Sequence, residues 1–466
     1  MSQPTTSSPV GQQMHDLIAR LFPVCRSQTG RGVRESFEIL KSVLPIEVSE
    51  VPSGTKVFDW EVPDEWNITD AWIKDEHGTR VVDFRESNLH VVNGSQSVAA
   101  RLSWDELKPH LHTLPEQPDV IPYRAAFAGD RWGFCLSQHQ FDRLEAAGDT
   151  TWDVCIDSSR IEGSLSMAEL LIPGETRDEV LIATHTCHPS LANDGLSGIA
   201  VSAFLGRWLQ SAPRRYSYRL LFAPATIGAI TWLAAHRAHT RQIRHGLVLS
   251  CLGDSGRVHY RRSRQGEAEI DQAVAGVLRD RQQGFQLLDF EPSGYDQRQF
   301  CSPGFDLPVG GLMRTPNGWF DEYHTSADDL SFVRPEALAD SLAVLQATVA
   351  RLEADFSHRF LNLNPLCEPR LGKAGLYHAF GTRPDSQQLQ QAILWVLNGS
   401  DGRASLRDIA LRSRMPQPQL LEAAELLEKH GFVERLSAST SPGLGAATFA
   451  SSYRERTSTE ISETTP

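Results

Sequence analysis

Hydrophobic and polar positions change period several times along the chain, and each change predicts a different kind of element. Met14, Leu17, Ile18 and Leu21 recur at helical spacing, and a second apolar run extends from Val33 to Val43. Pro45, Pro52 and Gly54 interrupt it. Short β-rich runs follow: Val57-Phe58, Ala71-Trp72-Ile73, Arg80 to Phe84 and Leu89 to Val92, parted by polar turns such as Asp75-Glu76-His77-Gly78. Their close spacing predicts a small antiparallel β module. Residues 103–115 read as helix, with Pro115, Pro118 and Pro122 marking the exit.

Between residues 120 and 355 strand and helix patterns alternate. Strands are expected at 151–156, 166–171, 180–184, 218–223 and 246–251, with helices between them at 195–210 and 227–239 and a long helix over 335–352. Val180-Leu181-Ile182-Ala183-Thr184 is apolar without alternation, the mark of a strand covered on both faces in a largely parallel sheet. The fold class expected is a three-layer α/β/α sandwich with the β module inserted near its start. Residues 386–436 differ. Helical patterns at 386–398, 405–412 and 417–430 precede Gly431 and a strand-like Phe432 to Leu436, the layout of a winged helix. Its third helix carries Glu422, Glu425 and Glu428 against Lys429, so protein packing is favoured over DNA binding.

Composition narrows the choice of function. The 466 residues are 40% hydrophobic and 22% charged, ordinary globular values with room for two or three domains. A net charge of −13 speaks against a nucleic-acid or anionic-membrane binder. No apolar run reaches the ~20 residues that span a bilayer, and the polar N-terminus reads as a short disordered leader with no secretory signal. The seven cysteines are widely spaced, without a C-x-x-C pair, which fits reduced thiols in a cytoplasmic protein.

Three segments carry candidate chemistry. The densest runs from His185 through His188 and Asp194 to Gly198, just past the buried strand, where open α/β sheets bind ligands. Imidazole and carboxylate there can hold zinc, although a lone H-x-C-H is weak evidence. The second is Cys251-Leu252-Gly253-Asp254, also at a strand end, and the third is Asp321 to Asp329 with His324. Each has a bland reading: a hydrogen-bonded histidine, a solvated turn aspartate, or a helix cap at Ser326 or Asp328. Convergence of the three would make a metal centre.

These segments, with Val51 to Trp60, Leu111 to Pro115, Trp132 to Ser137, Cys301-Ser302-Pro303-Gly304 and Tyr323-His324-Thr325-Ser326, resemble a bacterial aminopeptidase-like family. That family joins a zinc-exopeptidase fold, a small inserted β domain and a C-terminal winged helix, and is distantly similar to zinc aminopeptidases and glutaminyl cyclases. The resemblance implies a zinc-exopeptidase-like domain over 12–48 and 116–378, an inserted β domain over 49–115 and a winged helix over 380–438, while composition alone adds a disordered leader over 1–11 and a disordered tail over 439–466. It also implies His185, Asp194, Asp254 and His324 as ligands of one or two Zn²⁺, with Asp194 as the bridging carboxylate.

The chain departs from the family pattern at two positions. Where relatives carry a glutamate in Pro-Glu-Thr-Ile-Gly, this sequence has Ala225, and in a Ser-Asp-Glu-Arg-Gln segment the glutamate is replaced by Gln297, within Gly294-Tyr295-Asp296-Gln297. Neither alanine nor glutamine can move a proton. Three readings stand open. One is a zinc-dependent aminopeptidase-like hydrolase of a small peptide or aminoacyl amide, with Asp296 or His188 supplying proton transfer. Another is a metal-binding enzyme with altered acyl-transfer, cyclisation or lyase chemistry in a biosynthetic pathway. The last is a catalytically retired homologue that binds a ligand or partner. Arg298 and Arg314 are candidate clamps for a substrate carboxylate. A homo-oligomer is compatible with the sequence, and no membrane partner is expected.

Overall fold

The computed structural model describes residues 9–126, 131–148, 150–281, 283–294, 296–354, 358–374 and 386–436. The tail expected over 439–466, most of the leader (1–8) and Tyr295 lie outside the described residues. The end of the expected leader is ordered, because Pro9 opens a helix, Pro9–Leu21, whose Met14, Leu17, Ile18 and Leu21 are buried. Two compact units divide between Glu353 and Ala354.

The first unit is built on an eight-stranded sheet. Its order is Glu47–Pro52, Ser164–Ile172, Ser217–Ala223, Glu179–His185, Ile243–Leu249, Val309–Met313, Val258–Arg261 and Phe285–Leu288. The pairings of Glu179–His185 with Ser217–Ala223 and Ile243–Leu249, and of the latter with Val309–Met313, are parallel; antiparallel strands flank them. Glu179–His185 is buried throughout. Val180 and Ile182 join one core with the helices Pro9–Leu21, Gly198–Leu209, Glu269–Asp280 and Pro335–Glu353. Leu181 and Ala183 face the opposite core, with Ile227–Ala235 and Phe300. That alternation under two helical layers is what the unbroken apolar run anticipated.

One strand is placed differently from expectation. The strand–helix alternation predicts the 151–156 segment in the large sheet. It forms part of Thr151–Ile161, which pairs antiparallel with both Glu65–Lys74 and Val98–Ser103 in a four-stranded sheet completed by Arg80–Asp83. Trp152, Val154 and Ile156 are buried while the intervening residues are more accessible, the period-2 signature of a half-covered antiparallel strand. The small sheet therefore reaches past 49–115, and Glu47–Pro52 is an edge strand of the large sheet.

In the second unit, helices Ser386–Gly399, Leu406–Ser413 and Gln417–Lys429 pack around Leu389, Ile393, Leu420 and Leu427. Ser405 caps the middle helix, its Oγ accepting from Asp408 N at 3.2 Å. A three-stranded sheet, Asp401–Ser405, Arg359–Asn362 and Val433–Leu436, completes this winged helix, so 359–362 belongs here and not with the residues before it. No described helix is long and apolar enough to cross a membrane.

Candidate metal centre

The central strand ends on His185, and the chain then turns through His188 into a helical turn, Ala192–Ser197. Inside that turn Asp194 (φ −81°, ψ 96°) and Gly195 (φ 107°, ψ −63°) leave helical geometry and aim the Asp194 carboxylate back at the strand end. Gly195 is required twice over. Its φ is one that L side chains rarely adopt, and a Cβ there would stand 3.2 Å from His185 Nε2. Gly198 lets the following helix touch the sheet, since a Cβ would lie 2.5 Å from Thr184 Oγ1 and 2.6 Å from the Leu249 carbonyl.

Three imidazoles surround Asp194. His185 Nε2 is 3.2 Å from Oδ1, and His324 Nε2 is 3.0 Å from Oδ2. His188 Nε2 lies 4.0 Å from Oδ2. Donor atoms of His185, His188 and Asp194 all lie within 4.8 Å of one another. Burial pushes the Asp194 carboxyl up, but His188, His185 and His324 outweigh it and hold it well below the usual carboxylate range. Burial drives His188 well below its usual value, with His185 and His324 adding to the effect, which keeps it neutral. Neutral imidazole and ionised carboxylate are the forms that bind metal. A buried cluster of such donors, 3–4 Å apart, fits a zinc ion in its chemistry and spacing.

A scaffold of buried polar groups holds the turn. Asp328 accepts from the backbone N–H of Asn193 at 2.6 Å and of Asp194 at 2.9 Å. Asn193 Nδ2 donates to Asp254 at 3.1 Å, and its Oδ1 accepts from Gly253 N at 2.8 Å. Arg26, completely buried, donates to the carbonyls of His188 (2.7 Å), Pro189 (2.9 Å) and Leu21 (2.7 Å), tying the His188 loop to the first helix. The Tyr123 ring stands edge-on to His188 and His324, at 5.3 and 5.0 Å between centroids, and Tyr323 stacks on His324 at 4.0 Å.

The structure brings His185, His188, Asp194 and His324 together. It does not bring Asp254, expected as a ligand. That carboxylate accepts from Thr315 Oγ1 at 2.6 Å, Gly256 N at 2.7 Å, Asn193 Nδ2 at 3.1 Å and Thr315 N at 3.2 Å, so its oxygens are spent on the scaffold. Arg314, expected as a substrate clamp, instead donates to the Gly256 carbonyl at 2.8 Å and to Asp340 at 2.9 Å. Arg298 is exposed on the short helix Gln297–Phe300, close enough to lower the pKa of Asp296. Asp296 itself is buried, and its Oδ1 has no hydrogen-bond partner among the described residues. Burial raises it to about 6 against the pull of His185 and Arg298. It lines a cavity of about 60 Å³ with Ser250, Arg261 and Asn317. Gln297 Nε2 donates to the carbonyls of Arg262 (2.9 Å) and Val309 (3.1 Å), and the buried Ala225 offers only its carbonyl, to Cys187 Sγ at 3.7 Å.

Residues 15–355 match the family described as a domain of unknown function (DUF4910). The chain belongs to the DUF4910 family. Residues 358–435 match a winged helix-turn-helix family. Over 421 residues, 90% of this chain and 96% of the relative, the DUF4910 protein is 47% identical to a Clostridium acetobutylicum protein named "Putative polysaccharide biosynthesis protein with aminopeptidase-like domain". A crystal structure of a "putative peptidase" from Clostridium acetobutylicum superposes with TM-score 0.83 at 45% identity, covering 91% of this chain and 96% of that one. BSAP, a zinc aminopeptidase of Bacillus subtilis, shares the fold at TM-score 0.53 and 11% identity, covering 75% and 96%. This DUF4910 chain is thus an aminopeptidase-like protein with a C-terminal winged helix.

Sequence reasoning missed Asp328, Asn193, Arg26 and Tyr123 as parts of the site. Asn193 and Asp328 lay inside segments already singled out, and their role follows once Asp194 is a ligand whose backbone needs fixing. Arg26 and Tyr123 come from distant stretches of chain with no local pattern to mark them.

Proposed function

We propose that this DUF4910 protein is a zinc-dependent hydrolase of the aminopeptidase type, acting on a small peptide or aminoacyl amide. The observation that carries this reading is the set of three imidazoles converging on one buried, ionised carboxylate, Asp194, at 3.0–4.0 Å. His185, His188, Asp194 and His324 would hold the ion. Bound there, zinc supplies Lewis-acid polarisation of an amide carbonyl and acidifies a water molecule. Asp296 takes the role that the absent glutamate at 225 leaves open: its unpartnered Oδ1 accepts a proton and returns it to the leaving amine. Tyr123 packs edge-on against His188 and His324 and helps hold their rings in place. The seven free thiols support a reducing, cytoplasmic setting, and the acidic third helix of the winged helix supports a protein-packing role.

Protein purified with zinc is expected to release amine from aminoacyl-p-nitroanilides and to stop on chelation. Asp296→Asn should lower kcat by about 10²–10⁴ while zinc content, read by elemental analysis, stays at the wild-type value. The rate should rise with pH on an acid limb near or below 6, because Asp296 must be ionised to accept a proton and a bound cation pulls its value down from about 6. Undiminished turnover in Asp296→Asn would remove this residue from the reaction.

A second reading has Ala225 and the backbone-tied Gln297 in its favour: a metal-binding enzyme with acyl-transfer, cyclisation or lyase chemistry in biosynthesis, in line with the name of the Clostridium acetobutylicum relative. Stoichiometric zinc without amidase turnover, together with turnover switched on by Ala225→Glu, would decide for it.

A further inference from the structure

One small cavity gathers polar groups that burial has left without partners. Ser250, Arg261, Ser293, Asp296, Gln297 and Asn317 line a space of about 60 Å³, well above the about 10–15 Å³ that admits one water molecule. Among these residues, Asp296 Oδ1 and Arg261 Nε are buried and have no hydrogen-bond partner among the described residues. We propose that Arg261 binds a carboxylate of the substrate in this cavity, so that the amide taken at the metal centre belongs to a molecule with a free carboxylate. This deepens the hydrolase reading above and rests on it.

The fold sets this cavity beside the metal centre. Ser250 follows the strand Ile243–Leu249, which pairs in parallel with Glu179–His185, and parallel neighbours open at one edge of the sheet. Arg261 ends the strand Val258–Arg261, antiparallel to Val309–Met313 and opposite Gly311. Gly311 also borders the cavity, and its bare backbone keeps the space open: a Cβ there would meet Gln297 Oε1 at 3.1 Å and Arg261 Cβ at 3.7 Å. Arg261 Nη1 and Asn317 Nδ2 lie 3.8 and 4.0 Å from where a Gly294 Cβ would stand, so N–H donors of two side chains flank one bare glycine. Asn317 is turned this way because its Oδ1 accepts from Cys251 Sγ at 3.1 Å and Ser250 Oγ at 3.5 Å. The contacts of the guanidinium are light. Nη1 donates to Ser293 Oγ at 3.3 Å, and Nη2 lies 3.7 Å from Glu291, whose side chain is 65% exposed. An exposed ion pair is weak, and a buried N–H without an acceptor is costly to leave so. A planar fork of donors suits a carboxylate. Asp296 does not take that place, since the charges acting on it are those of His185 and Arg298, not Arg261. Its carboxylate therefore serves the side of the cavity towards the metal centre and the guanidinium serves the far side. A substrate spanning the two gives its carboxylate to Arg261 and brings its amide to Asp296.

Calorimetric titration of full-length protein supplied with zinc tests this without turnover. Glutamate and glutamine differ at the side chain only. An uncleavable analogue of leucyl-glycine, with a CH₂–NH link in place of the amide, differs from its own C-terminal amide at the terminus only. Expected is about ten- to hundredfold tighter binding of the acid than of its amide in one of these pairs. The pair that shows it tells whether the carboxylate belongs to an acyl side chain or to a peptide terminus. Arg261→Gln should abolish the ratio, and Arg261→Lys should keep part of it, because the charge remains while the fork is lost. Equal affinities within both pairs, no binding of either acid, or a ratio that survives Arg261→Gln overturns the subsite and leaves the cavity to water. The ratio is read first on unmodified protein, so a variant that folds poorly does not remove the test. A ratio that stands in protein without zinc-dependent amidase activity supports Arg261 and overturns the hydrolase reading alone.

Discussion

Asp194 works because the residues beside it are spent on placing it. Asn193 and Asp328 fix its backbone, and Gly195 takes the bend that aims the carboxylate at His185. Gly195→Ala is expected to destabilise the fold by about 1–3 kcal/mol from backbone strain. It should also displace the His185 ring, which a Cβ would meet at 3.2 Å. Thermal unfolding measures the first effect, and loss of bound zinc relative to wild type measures the second. A variant with full zinc and wild-type Tm would show that the bend tolerates a side chain. Residues of this centre were unevenly legible. His185 stood out at the end of an apolar run, whereas Asp194 and His324 became ligands only through the family resemblance. Asp254 and Asp328 looked alike in one dimension, and only the fold shows that each accepts hydrogen bonds to the turn and its neighbours while Asp194 faces the imidazoles. Arg26 had no local signal, because its partners at His188 and Pro189 are over 160 residues away.

Elements at the centre of the sheet carry charge where apolar residues are expected. Arg219 sits in the buried strand Ser217–Ala223, donating to Glu179 at 2.9 and 3.1 Å and to Glu169 at 2.6 Å, with His239 Nε2 2.8 Å from Glu179. Burial pushes the Glu179 carboxyl up, but Arg219 and His239 overcome it and bring it below its ordinary value. The stabilisation is therefore present above the ordinary carboxylate range and fades as pH falls through the lowered value. Arg219→Met should cost about 3–5 kcal/mol near neutrality, since it strands buried carboxylates. The gap from wild type should narrow in acid, as those carboxylates protonate. Denaturant titrations at neutral and acid pH check both the size and the direction, and a pH-independent gap would point to lost packing alone. Element type was well marked in the sequence, and element partnership was not. The alternation of Trp152, Val154 and Ile156 marks a half-covered strand, yet nothing local says that its neighbours are Glu65–Lys74 and Val98–Ser103. The unbroken run 180–184 needed no such help, because burial on both faces is itself the signature of a central strand.

At the scale of the molecule, every group assigned to the metal centre lies before residue 354. The winged helix has a core of its own, from Phe360, Leu389, Ile393, Leu406, Leu420 and Leu427. The sandwich likewise closes its two cores with residues from 9 to 353 alone. A chain that ends at Glu353 is therefore expected to unfold cooperatively and to take up zinc in the same ratio as the full-length protein. Its last helix, Pro335–Glu353, must stay whole: Leu338, Leu342, Leu345 and Leu352 fill the core beside Pro9–Leu21, and Glu353 accepts from the Tyr218 hydroxyl at 2.7 Å and from Arg215 N at 2.6 Å. Cutting one turn earlier, at Val349, removes Leu352 and these acceptors. Loss of a buried leucine costs about 2–5 kcal/mol, a large share of the about 5–15 kcal/mol that holds a domain together. Circular dichroism melts of the two truncations, with elemental analysis of each, separate the outcomes. A sharp transition and full zinc for the chain ending at Glu353, beside a broad or lowered transition for the shorter one, is the result expected. Zinc lost from the longer truncation while its melt stays sharp would mean that the centre draws on residues beyond 353.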